Sequence, residues 1–478
     1  MSSGTQPTYE ILAGFVSTSN GLVPASDVLE ISTTRKLSDF LNRMEIGQCQ
    51  VLLDNSRGQY TSGSNRARIN HPVTVRAVYP GSTYNLFVGT IEVVQATPSF
   101  EQGATVMLSA ADVARNLRKP ISTPFIEGTI SASLAAVVTS LAAINANSVV
   151  IDPAMRDPVP FAYYSYAPSG DAAASLQTSF LSYMHVNRDG QLELTDRNFD
   201  VNTPVIASLS AFYDFQLNED LASIINRADI VTAPRRKSVD VATVAWIDNA
   251  IFIVTGETKS FRLDYVDPET EEGDTPVTNI QDVSPYVDYY FNTSVDQSGT
   301  DLTSGCTVTV SAGALSAQVT IVNSSGSNGY LAAFSLKGQA YSRAPSTTAT
   351  AVNTTSVNSY GEVPFALESE LLASGDYAAG LASYLVSRYG EPSPSPTFAL
   401  KNEYPTILAL DLLDRVRLTN STLNVNSTFL LKSIEHQIRI GAGVEHMVTY
   451  ETFPDFSKVF FIVSNSSFGR LNINRLGY

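Results

Sequence analysis

The sequence predicts a mainly β fold with an α+β insertion, and three observations lead to this prediction. Only 16% of the residues are charged, whereas Ser, Thr and Asn are abundant. This composition suits short strands joined by polar turns, because long exposed helices need charged residues on their solvent face. Alternating apolar segments fill both ends of the chain, and helical spacing is confined to a few segments between them. With 478 residues, 44% of them hydrophobic, the chain can form about three domains with sizeable cores.

The first 112 residues carry the pattern of successive strands. Cys49–Leu53 is followed by the polar turn Asp54–Gly58, whose residues accept left-handed or side-chain-capped geometry. Val73–Arg76 alternates apolar and polar residues, and the longer strand Leu86–Val94 precedes Thr105–Leu108. We therefore predict a first β-barrel domain over residues 1–112.

Helical spacing then takes over and predicts an α+β insertion domain over residues 113–206. Apolar residues at i, i+3, i+4 and i+7 predict a helix near 131–146, namely Leu134, Val137, Val138, Leu141 and Ile144. A second helix should begin at Asp171 as N-cap and bury Leu176, Phe180 and Leu181. Asp189-Gly190 then predicts the turn of a hairpin.

Strands resume after residue 207, and a β-rich insertion domain is expected over residues 259–372. Its segment Asp264–Asp274 is densely acidic and interrupted by proline. We interpret this segment as a solvated loop. A calcium loop is disfavoured, because the alternating ligand positions and the central glycine of such loops are absent.

A long helix near the C-terminal end has clear boundary signals. Asp376 can cap its start, and Gly390 with Pro392 should end it, the glycine in a left-handed cap. The inward side is expected to hold Leu381, Tyr384, Leu385 and Arg388. Four strand-like segments follow, Ile407–Leu412, Arg415–Leu418, Phe429–Ile434 and His446–Tyr450.

The two ends of the chain resemble one another. Val73–Arg76 has a counterpart in Arg415–Leu418, and Phe87–Glu92 resembles Phe429–Glu435 with one extra residue. Each pair is followed by a glycine-containing turn and a further strand. The repeat predicts a second β-barrel with its helix, formed by residues 207–258 and 373–456, with the middle of the chain inserted.

The charge and the cysteines limit the partners and the compartment. The formal net charge is −16, and the one tight basic group is Arg235–Lys237, so we do not expect this chain to grip nucleic acid. An acidic surface that repels DNA is a remaining hypothesis. Cys49 and Cys306 lie far apart outside any CxxC motif, which fits a reducing cytosol. The first basic residue is Arg35, and apolar runs are strand-sized, so we expect neither a signal peptide nor membrane insertion.

Catalytic motifs are missing from the sequence, and we predict no catalytic residue, no cofactor and no metal site. His436 and His446 could face each other across a hairpin, with Glu435 and Glu445 as further ligands. We favour the interpretation that both histidines are surface strand residues. Cys49 lies in an apolar alternation, which predicts a small buried side chain rather than a nucleophile. Carboxylate pairs that cleave glycosides remain open, because their spacing is spatial.

Nine segments in order along the chain resemble the baseplate or tail-tip hub proteins of tailed bacteriophages. They are Val51–Tyr60, Val73–Val75, Leu86–Ile91, Phe334–Gly338, Ser356–Gly361 before the helix at Asp376–Tyr389, Leu413–Arg417, Lys432–His436, Gly443–His446 and Phe468–Gly477. The set at 413–446 is the most specific. Leu413 departs from the pattern, because the family commonly has glycine before this aspartate.

The resemblance implies a homotrimer at the distal end of a phage tail, assembled in the host cytoplasm. Each chain would supply two tube-like β-barrels, so that three chains match a hexameric tail tube and DNA passes through without specific binding. Tail tube, distal tail and spike or fibre proteins would be the partners, and residues 457–478 would form a C-terminal docking tail. Alternatives are a distal tail or spike-bearing protein, a cell-wall-degrading tail enzyme and a carbohydrate-binding adhesin.

Overall fold

The structure is a computed structural model of the chain, and it describes most of the sequence. The described residues are 6–14, 21–37, 45–61, 66–99, 103–122, 126–139, 149–197, 204–441 and 443–455. Within this described part, strands make up 52% and helices 14%. The predicted mainly β fold with an inserted α+β part is therefore confirmed.

Six strands form the N-terminal part, and their burial alternates as expected for strands that cover a core on one face. In the first of them, for example, Tyr9, Ile11 and Ala13 are buried. Gly81 closes the hairpin between the fourth and fifth strands with a φ of 86°, which favours glycine. The six are β1 (Thr8–Ala13), β2 (Val28–Lys36), β3 (Gln48–Asp54), β4 (Pro72–Tyr79), β5 (Ser82–Ser99) and β6 (Gly103–Ala111).

The next part mixes short strands with two helices. A 3-10 helix at Val113–Arg118 starts it, capped by the Asp112 carboxylate, which accepts from the Ala114 N–H. The elements that follow are β7 (Pro120–Ser122), β8 (Ile126–Thr129), α1 (Ile130–Thr139), β9 (Val149–Ile151), β10 (Pro158–Ala162), β11 (Ser165–Pro168), α2 (Ser169–Phe180), β12 (Tyr183–Val186) and β13 (Leu192–Thr195).

Both helices predicted in this part are present, with shifted bounds. The predicted segment 131–146 is helical from Ile130 to Thr139, whereas Leu141 and Ile144 lie outside the described residues. Helix α2 begins two residues before Asp171, because Pro168, with a φ of −54°, serves as its N-cap. Leu176, Phe180 and Leu181 are buried as predicted, and Asp189-Gly190 joins β12 to β13.

The second half contains the remaining strands and three helices. Two strands come first, β14 (Val205–Leu209) and β15 (Asp214–Asn218). The middle holds β16 (Arg227–Thr232), β17 (Arg235–Lys237), β18 (Ala242–Trp246), β19 (Ile251–Ile253), β20 (Thr258–Asp264), β21 (Val277–Thr278), β22 (Tyr289–Asn292), β23 (Cys306–Ala312), β24 (Ser316–Asn323), β25 (Gly329–Arg343), β26 (Thr347–Val352), α3 (Thr354–Tyr360), β27 (Pro364–Ser369) and α4 (Gly375–Tyr389). The last elements are β28 (Ser395–Lys401), α5 (Thr406–Ala409), β29 (Arg415–Asn420), β30 (Val425–Ile440) and β31 (Val444–Pro454).

Helix α4 differs from the prediction at both caps. Ser374 is the N-cap and its hydroxyl accepts from the Tyr377 N–H at 3.2 Å, so Asp376 lies in the first turn. Gly390 has a φ of −69° and is not in the left-handed region, contrary to our prediction. Glycine is required at this position for a steric reason, because a Cβ there would lie 2.3 Å from the Val386 carbonyl oxygen.

Twelve strands from both ends of the chain form one large sheet. Its order is β1-β4-β5-β6-β3-β2-β30-β31-β28-β15, with β14 paired to β29 and β29 to β30. Strands β2 and β30 pair antiparallel and join the N-terminal set to the C-terminal set. These twelve strands thus form one continuous sheet, and the strand pairs among the described residues include none that closes either set into a ring.

The two sets have the same internal strand order. The first runs β1-β4-β5-β6-β3-β2, and the second runs β14-β29-β30-β31-β28-β15. The segments that look alike in sequence occupy equivalent places, because β4 corresponds to β29 and β5 to β30. One pair differs, since β1 lies antiparallel to β4 whereas β14 lies parallel to β29.

Three main hydrophobic clusters lie under these sheets. The first packs both ends of the chain together, the second lies mainly in residues 114–230 and 372–386, and the third spans residues 244–340. The domain boundaries stay a prediction, but several segments that we grouped with the second barrel pack elsewhere. Strands β17, β18 and β19 pair with β25 of the predicted β-rich insertion. Strand β16 pairs with β26 and β27, and its Ile230 is buried together with Leu385 of α4 in the second cluster.

Candidate functional site at the junction of the two sheet halves

The antiparallel pair of β2 and β30 is the connection between the two six-stranded sets. Their register runs from Glu30 opposite Arg439 to Lys36 opposite Ser433. Ile31, Thr33 and Arg35 of β2 point into the molecule and are buried. Because every second residue of a strand faces the same side, the junction places two polar side chains inside the core.

A chain of buried hydrogen bonds crosses this junction. His436 Nδ1 lies 2.9 Å from His446 Nε2, and His446 Nδ1 lies 2.7 Å from the Tyr9 hydroxyl. The Tyr9 hydroxyl is also 3.2 Å from that of Tyr404. Since Tyr9 belongs to the first set and both histidines to the second, the bonds tie the two halves together.

The prediction that His436 and His446 are surface residues is wrong. They face each other across the hairpin as considered, but they are 2% and 0% exposed. The sequence pattern could have shown this, because alternate residues of a strand face the same side. His436 therefore faces the same side as Ile434 and Ile438, and His446 faces the same side as Val448. Core residues on both sides of a polar residue in a strand indicate that it too faces inward.

The pKa values of both histidines are lowered, which favours the neutral imidazole form. Burial holds the pKa of His446 at about 3, and burial followed by the neighbouring His446 holds the pKa of His436 well below its ordinary value. Within the described part of the chain there is no group of three or more His, Cys, Asp or Glu side chains that could hold a metal. Neutral imidazoles can donate and accept one hydrogen bond each, which suits a structural chain.

A partly buried charge cluster lies near the C-terminal end of β2. Arg35 donates to Asp411 Oδ1 at 2.6 Å, and Arg188 donates to Asp411 Oδ2 at 2.9 Å. Burial alone would raise the pKa of Asp411, but the charges of the two arginines hold it below its usual range. Arg188 also donates to the carbonyl oxygens of Leu408 and Ala409 at 3.0 and 2.6 Å. The cluster therefore joins both sheet halves to the β12–β13 hairpin.

The turn after this cluster contains the residue that departs from the family pattern. Leu413 has a φ of 66°, in the left-handed region where glycine has the lowest cost. Its side chain is buried with Leu37 and Tyr183, and Phe453 packs against them. Leu413 thus occupies a left-handed position, and its side chain is held there by packing.

The cysteines and the acidic loop have structural surroundings. Cys49 is 1% exposed, as predicted, and burial raises the pKa of its thiol far above the ordinary value. In the segment predicted as a solvated loop, Asp267 is an exception, because it is buried and accepts from the Glu269 and Thr270 N–H groups at 2.8 and 3.2 Å. Arg235, from the tight basic group, lies on β17 and pairs with Glu370 at 3.1 Å.

The outer face of the central strands is polar and carries charges of both signs. Glu30 lies 3.6 Å from Arg439, and Lys401 lies 2.6 Å from Glu445. Glu435 and Glu451 lie on the same face of the neighbouring strands β30 and β31, where the register brings Glu435 opposite Thr449. This face is a hydrated surface and not a second core.

Solved structures share this fold, among them two tail proteins. The 43 kDa tail protein of prophage MuSo2 from Shewanella oneidensis has 11% identity, with 95% of this chain and 98% of that chain covered, at a TM-score of 0.52. The tail protein from Neisseria meningitidis MC58 has 9% identity, with 94% and 97% covered, at a TM-score of 0.52. This chain has the fold of phage tail proteins. No family model matches the sequence, and no curated protein matches it.

The tail-protein fold confirms the fold expected from the hub-like sequence segments. At identities of 11% and 9%, the likeness is one of fold. Among the described residues, no helix is long and apolar enough to span a membrane.

Proposed function

We propose that this chain is a structural hub subunit at the distal end of a bacteriophage tail, where it adapts a hexameric tail tube to a trimeric tip. The observation that carries the proposal is the repeated strand order of the two six-stranded sets. A ring of three such chains presents six similar units. A six-fold partner then meets equivalent surfaces at every position, which avoids unpaired surface at a symmetry mismatch.

The junction supports this role because it fixes the two units relative to each other. Seven residue pairs of β2 and β30 lie in register, and buried hydrogen bonds and ion pairs cross the same place. Units joined only by a linker would move independently and would not hold a ring geometry. The proposed partners are the tail tube, the distal tail protein and a spike or fibre protein, within the virion.

We further propose that the polar face of the large sheet contributes to the channel through which DNA passes. Glu435 and Glu451 on this face would repel a phosphate backbone, so that DNA moves without adhering. The proposed role needs no catalysis, and the junction histidines are engaged with each other and with Tyr9.

The mass and outline of the purified full chain test the hub proposal. We expect a trimer by native mass spectrometry and a three-fold ring with an axial hole by electron microscopy. If the chain trimerises only on its neighbours, adding the tail tube protein should produce the ring. A protein that stays monomeric with and without that partner would contradict the proposal.

A distal tail or spike-bearing protein is the second candidate, since the observed fold is that of tail proteins in general. It would bind at the tail tip without imposing three-fold symmetry on a six-fold tube. A tail enzyme would instead clear a peptidoglycan suspension, and an adhesin would bind glycans through residues 259–372. We expect neither activity from the purified chain.

A further inference from the structure

A large open cleft lies between the α+β insertion and the segment after β27. Its volume is about 1160 Å³. One wall is helix α2, with Asp171, Ala174, Ser175 and Thr178, and the aromatic residues Phe161, Tyr163 and Tyr164 stand beside it. The cleft belongs neither to the junction nor to the polar face of the large sheet.

A second part of the lining comes from an edge strand, β27, which meets α2 where the Ser369 and Ser179 hydroxyls lie 2.7 Å apart. Leu367, Glu368 and Ser369 of β27 line the cleft, and β27 is an outer strand of the sheet β26-β16-β27. An outer strand presents alternate backbone N–H and C=O groups away from its sheet, and an extended segment can add there. This geometry favours a peptide in extended conformation over a compact ligand.

The charge of the cleft favours a basic occupant. Asp171, Asp274, Glu368 and Glu370 line it, against Arg118 and Arg235. Arg235 is already paired with Glu370 at 3.1 Å. Leu117, Leu315, Leu367 and Leu371 supply apolar surface, so a fitting segment combines positive charge with apolar residues.

The chain contains such a segment in its last 23 residues, 456–478, which lie outside the described residues. They include Lys458, Arg470 and Arg475 and no acidic residue. The run Val459–Val463 is apolar and strand-sized. The net charge of this segment is therefore opposite to that of the remaining chain.

The last described residues place the start of this segment near the cleft. Asp455 is bound to Arg415 at 2.5 Å, and the ring of Phe453 stacks on that of Tyr183 at 5.8 Å. Tyr183 begins β12 directly after α2, the helix that lines the cleft. Helix α2 is about 18 Å long, and 23 extended residues span up to about 75 Å, so the segment reaches the whole cleft.

We propose that residues 456–478 bind in this cleft of their own chain, with the apolar run extended along β27 and the basic residues beside the acidic wall. The docked segment would join the end of β31 to the α+β insertion. It would thereby hold that insertion against the large sheet. This inference does not depend on the tail-hub function.

Photo-crosslinking in the full chain tests the proposal. Phe461 is replaced by p-benzoylphenylalanine, and cross-linked peptides are identified by mass spectrometry at dilute protein concentration. We expect links within one chain to residues 114–118, 161–179 or 367–371. The same probe at Tyr286, an exposed position of the other insertion, should give no links to these peptides. Links mainly elsewhere or mainly between chains would overturn the proposal.

A charge-reversal pair tests the acidic wall. Glu368→Lys should lower the yield of the Phe461 cross-link at least three-fold, and raising the salt concentration should lower it in the parent chain. Asp282→Lys changes the net charge equally at an exposed position outside the cleft and should leave the yield unchanged. An equal yield in both variants would contradict the proposed electrostatic contact.

Discussion

At the scale of single residues, the junction depends on polar groups that the core surrounds. Arg35, His436 and His446 are buried, yet each has a partner within 3 Å. Such groups stabilise the fold only as a satisfied set, because a buried polar atom without a partner costs about 1–3 kcal/mol. Removing one buried partner should therefore destabilise the sheet more than removing one partner of an exposed charged pair.

The left-handed backbone of Leu413 leads to a prediction about the order of two substitutions. Leu413→Ala should cost about 2–5 kcal/mol, because it loses buried contacts and keeps the unfavourable φ. Leu413→Gly loses the same contacts but relieves about 1 kcal/mol of backbone cost, so it should be the more stable of the two. Chemical denaturation of both variants measures the order.

Leu410 is the matched control for this order. It is also buried, but its φ is −69°, where glycine brings no relief. At this position the alanine variant should be the more stable one. If the alanine variant is also more stable than the glycine variant at position 413, the left-handed backbone of Leu413 does not reduce the stability of the chain.

His185 predicts a dependence of stability on pH. Burial lowers its pKa in the folded chain to about 4, whereas the unfolded value is about 6.5. Between these values the unfolded chain binds a proton that the folded chain excludes. The stabilisation is therefore complete above about pH 6.5 and falls by up to about 1.4 kcal/mol per pH unit toward pH 4.

The variant His185→Gln isolates this contribution. It should lose less stability than the parent chain between pH 6.5 and 4.5, and the two should change in parallel between pH 7 and 8. The comparison is necessary because Asp414, whose pKa burial raises to about 6, acts in the opposite direction in this window. Hydrogen exchange of the β12 and β13 amides, corrected for intrinsic pH dependence, gives the measurement. Equal slopes would show that His185 does not titrate as inferred.

At the scale of elements, the structure binds together segments that are far apart in sequence. The β12–β13 hairpin carries Arg188 to the loop before β29, and β2 carries Arg35 to the same carboxylate. Asp411 is thus shared by three elements. The long hairpins of both sets were predictable from alternation and glycine turns, whereas this meeting point was not, because register between distant strands leaves no local pattern.

Replacing Asp411 tests whether this meeting point holds the elements together. Asp411→Asn keeps the shape but removes the charge, and it leaves Arg35, which is 4% exposed, without a counter-ion. The expected loss is about 3–5 kcal/mol, with faster exchange of amides in β2 and in the β12–β13 hairpin. Asp264→Asn is the control, because its pair with Arg262 is exposed on both sides and should contribute little. Equal effects of the two variants would contradict a shared role for Asp411.

At the scale of the whole molecule, one chain holds two sets of six strands with the same order. A separate first set would present β2 as an edge strand to solvent, but β2 pairs with residues 433–439 of β30, beyond the part of β30 that pairs with β29. The joint also fixes the relative orientation of the two sets. This arrangement suits a subunit that must present two equivalent surfaces at a set distance.

The polar face of the sheet provides a prediction for the assembled ring. If this face lines a channel, Glu435→Lys combined with Glu451→Lys should make the ring retain short duplex DNA at 50 mM salt, which the parent ring should not. The retention should weaken steeply as salt rises. The control reverses Asp282 and Glu269 on the other insertion and should not retain DNA. Equal retention by both double variants would show that the face lies outside the channel.

The sequence by itself determined the strand-rich class, the presence of helices starting near Asp171 and Asp376, and the likeness of the two ends. These features follow from local periodicity and turn residues, which each segment carries on its own. Only the tertiary structure decided that β2 and β30 join the two sets, that His436 and His446 lie buried against Tyr9, and that α4 packs with β16. Such facts depend on which distant strands pair and which faces meet. Which strands pair depends on which whole faces are buried together, and the residue pattern of a single segment does not specify its partner.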